Sequence, residues 1–186
     1  QRRKNMANIK LKSLITLKEI INDKTTPPKP IIDKGVLLDG TILLIVGPAK
    51  SKKTFLTQNL ALAIAFGNDF SGFRIPKPKK VFYFLAEGGY YPNRERIKRM
   101  VKCKDLKYSD NFMLGCFNYL PIDNDEAFDM MYKLIAEAKP EVLILDPLIR
   151  FHNADDHSAS QVSQVFGRLR QLIDELGISI ILVHHT

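Results

Sequence analysis

The sequence predicts a three-layer α/β/α fold, a mainly parallel sheet of about five strands with helices on both faces. Three observations predict it. Short β-branched runs alternate with segments of helical apolar spacing from residue 41 onward. A glycine-led, lysine-rich loop, Gly47-Pro48-Ala49-Lys50-Ser51-Lys52-Lys53-Thr54, lies between the first such run and the helix after it. Two later runs end in an acid, Glu87 and Asp146, and strand ends are where an open parallel sheet presents side chains to a ligand.

The elements follow in order. Residues 9–22 place Leu11, Leu14, Ile15, Leu17, Ile20 and Ile21 at roughly helical spacing, and the proline-rich connector Thr25 to Pro30 cannot continue that helix. We read residues 1–34 as a basic arm and linker and 35–186 as the core. The first core strand is Thr41–Val46. A helix over Lys53–Phe66 turns Leu56, Leu60, Ala63 and Ile64 to one face and stops at Gly67-Asn68. After a loop over 70–80 comes the strand Val81–Leu85, then a basic helix Asn93–Lys102 with Ile97, Met100 and Val101 inward. A strand at Phe112–Cys116, a helix at Asp125–Ala138 and a strand at Val142–Leu145 follow. A long helix, Ser158–Leu176, ends on Gly177 and feeds the last strand, Ile178–Val183.

Composition narrows the function classes. The chain has 186 residues, 45% of them apolar, enough for one compact domain with a real core. No apolar run approaches the ~18 residues of a membrane span, and no secretory pattern follows the basic start, so a cytoplasmic protein is expected. Cys103 and Cys116 have no metal-ligand spacing and read as free thiols. The net charge of +8 is laid out unevenly: residues 1–34 carry +6, 74–107 carry +8 and 108–186 carry −7. Such polarity suits nucleic acid or head-to-tail docking of copies; solvated surfaces that merely differ are the plain alternative. Gln1 and Thr186 both read as cut ends of a longer chain.

The loop carries the chemistry. Backbone N–H groups of Gly47, Ala49, Lys50, Ser51, Lys52, Lys53 and Thr54 (Pro48 has none) can converge on a phosphate at a helix's positive end. Lys53 would bridge the β- and γ-phosphates, and the Thr54 hydroxyl would hold Mg²⁺ together with Asp146, making ATP and Mg²⁺ the expected cofactors. Lys52 stands where the pattern has glycine, so its side chain restricts the loop's dihedrals while Lys50 and Lys52 add charge. A lysine-rich turn without phosphate is the alternative for the loop alone. Pro147, not an acid, follows Asp146, which leaves Glu87 as the candidate base for the attacking water, with Gly88-Gly89 letting the backbone turn away. His184, His185 and Thr186 end the last strand on the same rim, where one of them could sense the γ-phosphate. No G-x-G-x-x-G follows the first strand, which disfavours a dinucleotide fold.

Together the lead-in PIIDKGVL, the loop GPAKSKKT, the strand VFYFLAEGG, the segment LILDPLIRFH and the ending SIILVHHT resemble the RecA-like P-loop ATPases of the RepA type, akin to DnaB and RadA, over about residues 11–186. That resemblance implies Glu87 as catalytic base, His184 or His185 at the nucleotide, and a homo-oligomeric ring with ATP between subunits, in many cases a hexamer. It also implies an arginine from the neighbouring subunit that is not identifiable in this chain; Arg150 follows Asp146 closely but is not read as that finger. The expected function is an ATPase of a DNA helicase or of replication or recombination, acting on single-stranded DNA, with weak hydrolysis expected of these 186 residues alone because ring contacts and the neighbour's arginine are missing. Acidic residues in 151–160 suit a DNA loop poorly. A nucleotide-binding regulator or scaffold, KaiC-like or unable to hydrolyse, is the alternative.

Overall fold

The computed structural model describes residues 15–155 and 158–185. Helix α1 (Leu17–Asn22) starts later than the apolar spacing implies. Thr16 is extended and caps it: its hydroxyl accepts from the Glu19 N–H while the Glu19 carboxylate accepts from the Thr16 N–H, a reciprocal box that sets a helix start. The expected continuous helix over 9–22 is therefore corrected at Ile15 and Thr16, and residues 9–14 lie outside those described.

Next comes a small antiparallel pair, β1 (Pro30–Ile32) with β2 (Leu37–Leu38). Ile31, Ile32 and Leu37 are buried and pack in one cluster with Leu60 and Ile64, so the folded body takes in residues upstream of 35.

The main sheet holds β3 (Ile42–Gly47), β4 (Val81–Leu85), β5 (Phe112–Cys116), β6 (Val142–Asp146) and β7 (Ser179–His185). Its order is β3-β7-β6-β4-β5, every pairing parallel. Parallel neighbours need crossovers, and four helices supply them: α2 (Lys53–Phe66), α3 (Tyr90–Cys103), α4 (Asp125–Ala138) and α5 (Ala159–Leu176). Alternation along each strand sorts the core into two halves. Val81, Tyr83, Leu85, Val142, Ile144 and Ile181 face α2. Phe82, Phe84, Leu143, Leu145, Ile180 and Leu182 face α4 and α5. Central strands buried on both faces explain why VFYFL and VLILD read as unbroken apolar runs.

One inward residue and one helix start differ from expectation. Leu56 is exposed, because α2 buries the face that carries Leu60, Ala63 and Ile64 while Leu56 lies near the phosphate loop. Helix α3 starts at Tyr90, three residues before the expected Asn93. Pro92 sits in the first turn, where N–H groups have no intrahelical acceptor and a proline loses nothing.

Candidate functional site

The carboxyl ends of β3, β4, β6 and β7 form one rim. Leu85 is level with Asp146, and Gly47 with His185. A cavity of about 530 Å³ opens there, lined by Lys50 through Phe55, Glu87, Arg96 and His185.

The loop from Gly47 to Thr54 is shaped by lysines in unusual places. Lys50 and Lys52 both have left-handed backbones, φ 62° and 64°. Lys52 is the N-cap of α2 and makes no side-chain cap, so the restriction expected from a side chain at this position is real: L-residues resist this region. The Lys53 side chain folds back into the loop, 7% exposed, and its Nζ donates to Gly47 O at 2.6 Å and Pro48 O at 2.7 Å. These carbonyls hold the ammonium against the loop's own backbone, beside the cavity.

One residue on, Thr54 Oγ1 donates to Asp146 Oδ1 at 3.2 Å, and Tyr83 Oη donates to Asp146 Oδ2 at 2.5 Å. Asp146 has no exposed surface. Burial pushes its carboxyl above the usual carboxylate range, and the nearby Glu87 adds to that; the Tyr83 and Thr54 hydrogen bonds and His185 oppose it. Burial, with the Asp146 charge alongside, also holds the Tyr83 phenol well above its ordinary value. Neutral donors stabilise a buried carboxylate incompletely, so this is a site that gains from a cation.

Glu87 follows β4 and is half exposed at the cavity. Its backbone is held from behind. Asn93 Nδ2 donates to Glu87 O at 3.2 Å and Gly89 O at 2.7 Å, and Asn93 Oδ1 accepts from Gln58 Nε2 at 3.0 Å. A Cβ on Gly88 would approach Asn93 Nδ2 to 3.0 Å, and Gly88 has φ +79°, so glycine is required twice over. The Glu87 carboxylate meets Arg150, whose Nε lies 3.3 Å from Oε1.

The two histidines separate, as neighbours on a strand must. His185 lines the cavity at the loop. His184 lines a smaller apolar cavity on the opposite face with Leu44, Leu148, Val165 and Phe166. Thr186 lies outside the described residues. Gly47, Pro48 and Ala49 form the turn that leads into the lined stretch, with Ser51 N donating to Pro48 O at 3.3 Å.

Sequence reasoning missed Tyr83, Asn93, Arg96 and the Arg150 contact. For Tyr83 a signal existed: it is the lone hydroxyl in VFYFL, and a buried phenol needs an acceptor. Among the described residues no group of three or more His, Cys, Asp or Glu could hold a metal. Magnesium is an ion that a protein holds through one or two side chains while water and phosphates complete the shell. Thr54 and Asp146 fit that role.

A family model described as an AAA domain matches residues 8–186. Among solved structures, the crystal structure of the RadB recombinase aligns with a TM-score of 0.53 and 18% identity, over 79% of this chain. This chain spans 62% of that one, and at such identity the likeness speaks for the fold. The strand order, the loop between β3 and α2 and the match along nearly the whole sequence agree: the chain belongs to the AAA domain family and has the RecA-like P-loop ATPase fold.

Proposed function

We propose that this chain binds ATP·Mg²⁺ in the rim cavity and hydrolyses it, as the ATPase domain of a DNA helicase or of a replication or recombination machine. One observation carries the reading. The Thr54–Asp146 hydrogen bond sets a buried carboxylate directly behind a hydroxyl that lines, with Lys53 and Glu87, one cavity. Lys53 and the loop amides would hold the phosphates, and Thr54 and Asp146 would hold Mg²⁺. The ion supplies charge neutralisation on the phosphates and nothing covalent. Glu87, half exposed at the cavity edge, orients the attacking water and accepts its proton, and His185 contacts the phosphate side. Assembly into a homo-oligomeric ring, with a neighbour completing each site, fits the split between a basic segment at 74–107 and an acidic stretch from 108 onward. Single-stranded DNA is the proposed track. Among the described residues no helix is long and apolar enough to cross a membrane, and a cytoplasmic setting suits two exposed free cysteines.

The test is equilibrium binding of a fluorescent ATP analogue together with single-turnover hydrolysis. Lys53→Ala should weaken binding at least about tenfold. Glu87→Gln should bind normally and hydrolyse about a hundredfold more slowly. Hydrolysis by Glu87→Gln at the parent rate would remove Glu87 from the mechanism. A second reading, a nucleotide-dependent regulator without turnover or DNA work, is favoured by Lys52 in the left-handed backbone of the phosphate loop. Tight binding with no turnover, and no stimulation by single-stranded DNA, would select it.

A further inference from the structure

Arg150 stands on a short 3-10 turn, Leu148–Arg150, just past Asp146. The turn is firmly seated: Leu148 and Phe151 are buried, Leu120 N donates to Arg150 O at 3.3 Å, and Ile122 N donates to Phe151 O at 2.8 Å. Its guanidinium therefore projects from a fixed base. Glu87 is placed differently. Its main chain is held through Asn93, but its side chain is half exposed and has three rotatable bonds, and a free carboxylate there would sample many orientations. The single partner that the described residues give its carboxylate is Arg150, at Oε1.

We infer that Arg150 is the positioning residue for Glu87. It occupies Oε1 and fixes the plane of the carboxylate, so that Oε2, which accepts no hydrogen bond among the described residues, is presented to water in the cavity. The inference rests on Glu87 being the base. It gives the Arg150 Nε a role on Glu87 and not on a phosphate. Exposed ion pairs add little to folding, so the pair can be cut without unfolding the protein.

The experiment is single-turnover ATP hydrolysis by the full chain in excess over ATP, for the parent, Arg150→Gln, Arg150→Lys, Glu87→Gln and the Arg150→Gln/Glu87→Gln double variant, with affinity for a fluorescent ADP measured in each. Arg150→Gln should lower the rate at saturating protein about tenfold, as loss of a group that orients a functional side chain does, with the half-saturating protein concentration and ADP affinity changed less than about twofold. Arg150→Lys should fall between Arg150→Gln and the parent. In the double variant the rate should equal that of Glu87→Gln alone, because a residue that acts only through Glu87 has nothing left to position. A parent-like rate for Arg150→Gln, or an undiminished tenfold loss when it is added to Glu87→Gln, overturns the inference and leaves the ATPase reading standing. A parent that hydrolyses nothing, or Glu87→Gln at the parent rate, defeats the reading itself and the inference with it.

Discussion

Replacing Lys52 by glycine should make the nucleotide-free protein more stable while weakening its grip on ATP. Lys52 holds φ 64° and ψ 24° at the N-cap of α2 and makes no capping bond. An L-residue in this region costs about 1–2 kcal/mol relative to its preferred backbone, a strain that glycine escapes. Glycine loses about 0.4–1 kcal/mol of that advantage, since the unfolded chain gains freedom. Removing one of three lysines crowded into Lys50–Lys53 relieves a further few tenths of a kcal/mol of repulsion, on the order of an exposed charge pair. The net is about 1 kcal/mol, or a rise in Tm of about 2–4 °C for a chain of this size. Thermal unfolding followed by circular dichroism without nucleotide reads it directly. Lys52→Ala is the control: it removes the charge, keeps the strain, and should shift Tm by about 1 °C at most. Since Lys52 also lines the cavity, both variants should bind ATP about two- to fivefold more weakly. A Tm that falls in Lys52→Gly, or one that rises equally in Lys52→Ala, would refute the strain argument.

Other expectations can be checked by the same methods. The Asp146 carboxyl is raised in the folded state, chiefly by burial, so the folded protein holds more protons than the unfolded chain between about 3.8 and the raised value. Stability from this group is thus full below that window and lost as pH rises through it. Asp146→Asn should show a smaller fall of Tm across the window, a higher Tm at pH 7 without nucleotide, and no stabilisation by ATP with Mg²⁺. Gly115 in β5 has no room for a methyl: a Cβ would stand 2.5 Å from the Phe117 ring and 2.8 Å from that of Phe84. Gly115→Ala should cost about 1–3 kcal/mol by overpacking, seen as a drop in urea midpoint. Ile31 is fully buried against the α2 side of the sheet, so Ile31→Ala should cost about 2–5 kcal/mol; a neutral change would mean that β1 is not part of the folded body.

Where local pattern decides local structure, the sequence could be read closely. Helices over 53–66 and 125–138 and strands over 81–85 and 112–116 run between the residues their patterns indicate, since each has a glycine stop, an Asn cap or a turn at its ends. The β1–β2 pair was not legible, because three and two residues carry no periodicity and their burial comes from α2, far along the chain. Within the site, the loop and the strand-end acids could be read because they are contiguous or follow apolar runs. The Tyr83–Asp146 and Arg150–Glu87 contacts could not, because each joins residues 63 positions apart and depends on β6 lying beside β4. The same dependence explains the histidines: adjacency in sequence left both open, and the pleat of β7 sends one to each side.

The strand that launches the phosphate loop is an outermost member of its sheet, bonded among the described residues to β7 alone, with Leu44 and Val46 half bare. Such a strand has a single sideways route for load through the sheet. Within the sheet, a displacement at Gly47 passes to His185, its cross-strand neighbour, and then through β7 to the strand bearing Asp146, which the Thr54 hydroxyl also reaches directly. The tail of β7 and the Asp146 carboxylate are therefore where occupancy of the loop would be felt first, and the far edge at β5 the last.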